Sequence, residues 1–242
     1  MPATRSRRLA LVAVVAVAIL TVAGACDPEP GATPPAPSGA APAQSTDYAI
    51  ALKDADGHVV RWNPCQPVRY VVNLNHAPTF AVAELQRAAA QIESATGIDL
   101  QYAGTTTEGP TARPLRNTSR YGAGFSPILV SFNTVTEFPF GDPTASGFGI
   151  GKTQVDSAGH RQYVTGLVVL RPNGWTEGHT STNPLSLMLM HELGHVMGLA
   201  HSPTIHEIMG AGGNGTVRAW GAGDLVGLGK VGRPAGCLPT IA

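Results

Sequence analysis

Apolar residues recur at helical spacing along residues 80–96, and Gly97 directly follows them, as expected where a helix ends. A small hairpin is predicted for residues 53–62, because Asp56-Gly57 is a typical turn sequence. Short runs rich in apolar and β-branched residues are typical of strands. They occupy residues 69–74, 100–103, 128–132 and 163–170.

A second helix is predicted from Asn183-Pro184 to Leu199, because asparagine favours the N-cap and proline the first helical position. Apolar side chains wrap most of this segment, so it should be buried with one edge open to a cleft. A short last helix is predicted near Asp224. Strands mixed with helices in this order predict an α+β fold.

The run HELGHVMGLAH begins at His191 and predicts a metal site. Two histidines four residues apart on a helix project from one face, so His191 and His195 can hold one zinc ion. Glu192 lies close enough to act on a water bound to that ion. Gly198 permits a sharp turn, after which His201 returns as a third ligand. Three protein ligands leave the fourth position of tetrahedral zinc open, as a catalytic site requires.

This run resembles the zinc motif of the metzincin metalloendopeptidases, His-Glu-x-x-His-x-x-Gly-x-x-His. The second signature of that clan, a methionine in a tight turn beneath the metal, is matched by Ile208-Met209-Gly210 at a matrixin-like distance from His201. The resemblance implies that the three histidines bind Zn²⁺, that Glu192 is the general base and that Met209 forms the hydrophobic floor. It also implies a mixed twisted β-sheet, an active-site helix and a small C-terminal subdomain.

The chain also departs from the matrixin pattern. No Pro-Arg-Cys-Gly sequence precedes the domain, and the Asp- and His-rich calcium and zinc loops are not recognisable between Phe132 and Val164. Ala211 stands where several metzincins have a tyrosine, which removes one candidate hydrogen bond to the transition state. These differences indicate a small relative rather than a vertebrate-type collagenase.

Glycines at 147, 149 and 151 alternate with Phe148 and Ile150, which fits either an edge strand or a flexible loop. Metzincins pair an extended peptide along such an edge, so a strand here would hold substrate by main-chain hydrogen bonds.

The predicted function is zinc-dependent endopeptidase activity on peptide or protein substrates, with Glu192 activating the attacking water. One alternative is a catalytically silent, zinc-containing surface lipoprotein that acts as a binding module. The retained Glu192 argues against it, because a structural zinc normally has four protein ligands and no use for a base. The other alternative is a zinc hydrolase of a non-protein amide, which would share the same metal chemistry.

Residues 1–25 are predicted to be a signal peptide, with a basic start and an apolar stretch too short to span a membrane. Small residues just before Cys26 resemble a bacterial lipoprotein box, which implies lipidation of Cys26 and a membrane anchor on the outer face. The same residues also fit an ordinary signal peptide cut after Ala25, which would give a secreted protein. Residues 26–46 hold six prolines and no large apolar side chain, and are predicted to be a solvated linker.

Residues 47–242 are predicted to form one zinc metalloprotease domain with a substantial core. Cys65 and Cys237 remain as an even pair outside the cytoplasm and are predicted to form a disulfide, the alternative being two free thiols. Such a long loop would stabilise the fold by about 4 to 5 kcal/mol in the chain-entropy picture. Without residues 1–25 the chain has 13 basic and 16 acidic residues, so nothing favours nucleic acid as a partner. A monomer is the default expectation.

The other histidines, and the polar residues near the motif, are not spaced along the sequence as metal ligands are. His58, His76 and His160 are predicted to be solvated in loops or turns. His206 and Glu207 lie between the third predicted ligand and the turn methionine, where they either touch substrate or face water, and water is the favoured prediction.

Overall fold

The computed structural model describes residues 45–139, 142, 144–212 and 216–241. The predicted signal peptide, Cys26 and most of the predicted linker lie outside the described residues. Within the described ranges, no helix has the length and apolar character needed to cross a bilayer.

The helices and strands follow the predicted order closely. They are β1 (Ala49–Ile50), β2 (Val68–Asn73), α1 (Ala81–Thr96), β3 (Leu100–Thr105), α2 (Thr118–Tyr121), β4 (Ile128–Phe132), β5 (Gly147–Val155), β6 (Arg161–Leu170), α3 (Leu185–Met197), β7 (Leu199–Ala200) and α4 (Ala222–Val231). A short 3₁₀ helix, Arg233–Ala235, follows α4.

Five strands form one mixed sheet in the order β3-β2-β4-β6-β5. The strands β3, β2, β4 and β6 are parallel to one another, and β5 is antiparallel to β6 at one edge. All five residues of the central β4 are buried, whereas β5 is partly exposed along its length. The predicted α+β class is confirmed, and the glycine-rich segment 147–151 is part of an edge strand rather than a loop.

Helices α1 and α3 pack against each other and contribute to the main core. The buried face of α1 includes Leu85 and Ile92, and the helix ends where Gly97 adopts a left-handed φ of 69°. Leu189 and Leu193 of α3 are completely or almost completely buried, as the apolar pattern of this segment predicts. The core therefore fixes the position of α3, which carries the predicted metal motif.

The limits of α3 differ from the prediction at both ends. The helix starts at Leu185, and the side chain of Asn183 donates to the carbonyls of Asn173 and Gly174 instead of capping it. It ends at Met197, because Gly198 has a φ of 115° and turns the chain out of the helix. Leu199, predicted to be helical, belongs to β7 and pairs with Ile50 of β1.

The disulfide between Cys65 and Cys237 is present, which confirms the predicted pairing. Neighbouring hydrogen bonds also hold the C-terminal segment against the start of the domain. The guanidinium of Arg61 donates to the carbonyls of Ala235 and Gly236, and the side-chain amide of Asn63 donates to the carbonyl of Leu238. A disulfide is compatible with an extracellular location.

Candidate metal centre

Helix α3 and the turn after it bring the three predicted ligands together. His191 and His195 are one helical turn apart, and their Nε2 atoms are 3.2 Å from each other. The left-handed Gly198 lets the chain reverse, so that His201 places its own Nε2 3.3 Å from each of the other two. Three imidazole nitrogens therefore form a nearly equilateral triangle.

Backbone carbonyls fix the proton positions on two of these imidazoles. The Nδ1 of His191 is 2.7 Å from the carbonyl oxygen of Ile208, and the Nδ1 of His195 is 2.8 Å from that of Leu199. A carbonyl oxygen can only accept, so each Nδ1 carries the proton and each Nε2 presents a lone pair. Neither Nε2 can donate to the other, and a cation between them is the natural partner.

The triangle has the dimensions that tetrahedral zinc needs. Zinc–nitrogen bonds of about 2.0–2.1 Å at tetrahedral angles place the nitrogens about 3.3–3.4 Å apart, close to the observed separations. Burial lowers the pKa of His191, and burial together with neighbouring imidazoles lowers that of His195 to about 4. Both rings are therefore neutral at physiological pH, the state that binds a metal.

Glu192 lies beside this triangle and is only 4% exposed. Burial raises the pKa of its carboxyl to about 8. A divalent cation held by the adjacent imidazoles would favour the ionised carboxylate and lower that value. The arrangement thus suits a carboxylate that exchanges protons near neutral pH.

Glycines of β5 allow the edge strand to lie directly against Glu192. A Cβ on Gly147 would collide with the Oε1 of Glu192, and a Cβ on Gly149 would collide with its backbone oxygen. The sequence marked these glycines as a candidate strand but gave no sign of this contact, which depends on how β5 packs against α3.

Met209 is buried and packs against α3. A Cβ on Gly194 of α3 would collide with its Sδ, so the glycine permits close packing of the methionine. The carboxylate of Asp224 accepts hydrogen bonds from the backbone N–H groups of Ile208 (2.6 Å) and Met209 (3.2 Å). The same turn supplies the carbonyl that orients His191, so Asp224 supports the triangle indirectly.

The prediction that Glu207 faces water is wrong. Its side chain is buried, and its two carboxylate oxygens accept from the backbone N–H groups of Gly223 and Asp224. These groups lie in the first turn of α4, where N–H groups lack partners within the helix and favour a negative charge. Glu207 thus anchors α4, and with it Asp224, to the methionine turn; His206 is exposed.

A cleft of 730 Å³ opens onto the triangle. Its lining combines the metal-site side chains with backbone of the edge strand and with apolar and basic side chains. The residues include Gly147, Phe148, Gly149, Leu187, Met188, His191, Glu192, His195, His201, Val217 and Arg218.

The remaining histidines lie elsewhere. The Nδ1 of His179 lies 2.6 Å from the hydroxyl of Ser186. His76 pairs with Glu137 at 2.9 Å on the surface. His58 and His160, each predicted to be solvated, stack on each other beside Asp56, a grouping that the sequence did not indicate.

Scans of the chain against models of known protein families and against curated proteins give no match. The function is therefore inferred from the side chains themselves. The relevant features are three convergent imidazoles, one buried carboxylate and the cleft that reaches both.

Proposed function

We propose that this protein is a zinc-dependent endopeptidase of the metzincin type that acts outside the cytoplasm. The observation that carries the proposal is the triangle of Nε2 atoms at 3.2–3.3 Å, with the buried carboxylate of Glu192 at its side. The motif and this spacing together support zinc rather than magnesium or calcium, which prefer oxygen ligands.

His191, His195 and His201 are the residues that would hold the ion. Zinc at such a site acts as a Lewis acid toward a carbonyl and lowers the pKa of a coordinated water. Glu192 takes the proton from the attacking water and delivers it to the leaving amine, so one carboxylate serves first as base and then as acid. Its burial between α3 and β5 holds it in place before substrate arrives.

An extended peptide is the substrate shape that the cleft supports best. The strand β5 is bonded to β6 along one side only, and its residues 147–149 line the cleft. Main-chain groups on the other side of β5 could therefore pair with a peptide as an added strand. The scissile carbonyl would then be presented to Glu192 and the imidazoles.

In this proposal, Met209 forms the hydrophobic floor beneath the metal ion, and α4 belongs to the small C-terminal subdomain of the metzincin-type fold. Lipidation of Cys26 and anchoring to the outer face of a membrane stay predictions from the sequence. The disulfide supports export, because such bonds persist mainly in oxidising compartments.

Glu192→Gln tests the proposal most directly, with Glu177→Gln as a control at an exposed glutamate. The purified proteins are incubated with a peptide library, with and without a zinc chelator, and products are identified by mass spectrometry. We expect the wild type and Glu177→Gln to cleave internal peptide bonds and the chelator to stop cleavage. Glu192→Gln should retain zinc and lose cleavage.

Three results would contradict the proposal in distinguishable ways. Cleavage by Glu192→Gln at the wild-type rate would remove Glu192 as the base. Zinc binding without cleavage of any amide would indicate the silent binding protein. Hydrolysis of cross-linked cell-wall fragments but not of peptides would leave the metal chemistry intact and overturn the substrate class.

A further inference from the structure

A second group of side chains that could bind a metal lies on the surface, and none of them is among the residues that line the cleft. The Oδ2 atom of Asp56 is 2.9 Å from the Nδ1 of His58 and 3.1 Å from the Nε2 of His160. The two imidazole rings stack with their centroids 4.0 Å apart. All three candidate ligand atoms lie within 4.8 Å of one another, although the residues are up to 104 positions apart in sequence.

Two tight turns present these side chains. Asp54 and Gly57 close the first turn by a backbone hydrogen bond, and Asp156 and His160 close the second. In the first turn, the Oδ1 atom of Asp56 accepts the backbone N–H of His58, which leaves Oδ2 facing the imidazoles. The backbone therefore orients the carboxylate before any ion binds.

An ion pair holds the two turns together. The Nε of Arg161 is 2.7 Å from the Oδ1 of Asp54, and its backbone N–H donates to the other oxygen of the same carboxylate. Its guanidinium also donates to the carbonyl of Lys53. Because Arg161 follows His160 directly, this contact fixes His160 relative to the first turn.

We propose that Asp56, His58 and His160 form a second binding site for a divalent transition-metal ion such as Zn²⁺, separate from the three-histidine triangle. Two imidazoles and one carboxylate are ligands that zinc accepts, and all three ligand atoms lie within 4.8 Å of one another, so that small side-chain rotations would bring them to one ion. The side chains of Asp56, His58 and His160 are 51%, 61% and 34% exposed, so water completes the coordination.

The bound ion has a stabilising role. It links the hairpin that contains Asp56 to the turn between β5 and β6, in addition to the contact between Asp54 and Arg161. An ion that binds only the folded chain raises the free energy of unfolding. Once the ion concentration exceeds the dissociation constant, this increase grows with the logarithm of their ratio. The proposal does not depend on peptidase activity.

Zinc counts by equilibrium dialysis and elemental analysis test the second site. We expect two Zn²⁺ ions per wild-type chain, and one in each of His160→Ala, His58→Ala and Asp56→Asn. His76→Ala is the matched control, since it removes a surface histidine paired with one carboxylate and should retain two ions. Undiminished zinc in the three cluster variants would overturn the proposal.

Thermal unfolding in a His201→Ala background isolates the second site from the triangle. Added Zn²⁺ should raise the Tm of His201→Ala, and this rise should disappear in His201→Ala/His160→Ala. An equal rise in both proteins would overturn the proposal. Absence of hydrolysis would leave these results unchanged, and an unoccupied triangle would lower every zinc count by one without changing the difference between the wild type and the cluster variants.

Discussion

The two histidine clusters differ in what their imidazoles face. In the buried cluster, the Nε2 atoms of His191 and His195 face each other with lone pairs, because each Nδ1 donates to a backbone carbonyl. In the exposed cluster, the Nδ1 of His58 and the Nε2 of His160 each face the carboxylate of Asp56, which partners them without an ion. The buried cluster therefore has more to gain from a cation and should bind zinc more tightly.

The clusters also differ in how they are supported. The turn that orients His191 is held by Asp224, which has no exposed surface. The turns of the exposed cluster are held by Asp54 and Arg161, which are partly open to solvent. Rigid support suits a site that must present a reactive geometry, whereas partial support suits an ion that only stabilises.

Removing one imidazole from each cluster gives the largest expected contrast. His195→Ala should lower kcat/KM for a cleaved peptide by more than about 100-fold, because loss of a ligand removes the ion. His160→Ala should keep hydrolysis within about twofold of wild type, since the exposed cluster lies outside the cleft lining. Peptide hydrolysis and zinc content are measured together; a similar fall in kcat/KM in both variants would show that the clusters are not functionally distinct.

Crowding the buried cluster should have the next largest effect. In Gly147→Ala the new Cβ meets the Oε1 of Glu192 and must displace the carboxylate, which we expect to reduce kcat/KM about 10- to 100-fold. Gly109→Ala is the control, because a Cβ there meets nothing within 4 Å. Steady-state kinetics and circular dichroism of both variants check the prediction; wild-type kinetics in Gly147→Ala would mean that the position of Glu192 is unimportant.

The sequence predicted the buried cluster because its candidate ligands are close together along the chain. His191 and His195 are related by one helical turn, and His201 follows after a single glycine-dependent reversal. Apolar runs likewise predicted β2, β3, β4 and β6 to within two residues at each limit, whereas the glycine alternation left a strand or a loop open for β5. The parity of cysteines outside the cytoplasm predicted the bond between Cys65 and Cys237.

The exposed cluster could not be predicted in the same way. His160 lies 104 residues from Asp56, and the two meet only because separate turns pack side by side. The sequence around Glu207 also gives no sign that backbone N–H groups at the start of α4 donate to its carboxylate. Both misses concern polar side chains whose partners come from distant elements, which periodicity along the chain does not reveal.

Asp224→Ala should separate the two kinds of support by a stability measurement. The substitution leaves the buried N–H groups of Ile208 and Met209 without their acceptor, and we expect a loss of about 2 to 3 kcal/mol in the free energy of unfolding. Zinc affinity at the buried cluster should fall about 10-fold, because the turn that orients His191 loosens. Asp99→Ala, at an exposed aspartate, is the control for denaturant unfolding and zinc titration; equal stability of the two variants would contradict this role of Asp224.

The smallest expected effect is a pair of opposite pH dependences. Hydrogen bonds from Arg161 lower the pKa of Asp54 below 3.8, so its contribution to stability is present above that pH and is lost as the pH falls through the lowered value. Burial raises the pKa of Asp224 to about 6, so ionising this carboxyl costs stability, and that cost grows as the pH rises from about 4 through 6. The Tm difference between wild type and Asp54→Asn should be about 1 to 2 °C at pH 6 and shrink toward pH 3. The difference for Asp224→Asn should change in the opposite direction between pH 4 and pH 7. If the Tm difference changed with pH in the same direction for both variants, the opposite pKa shifts of Asp54 and Asp224 would be contradicted.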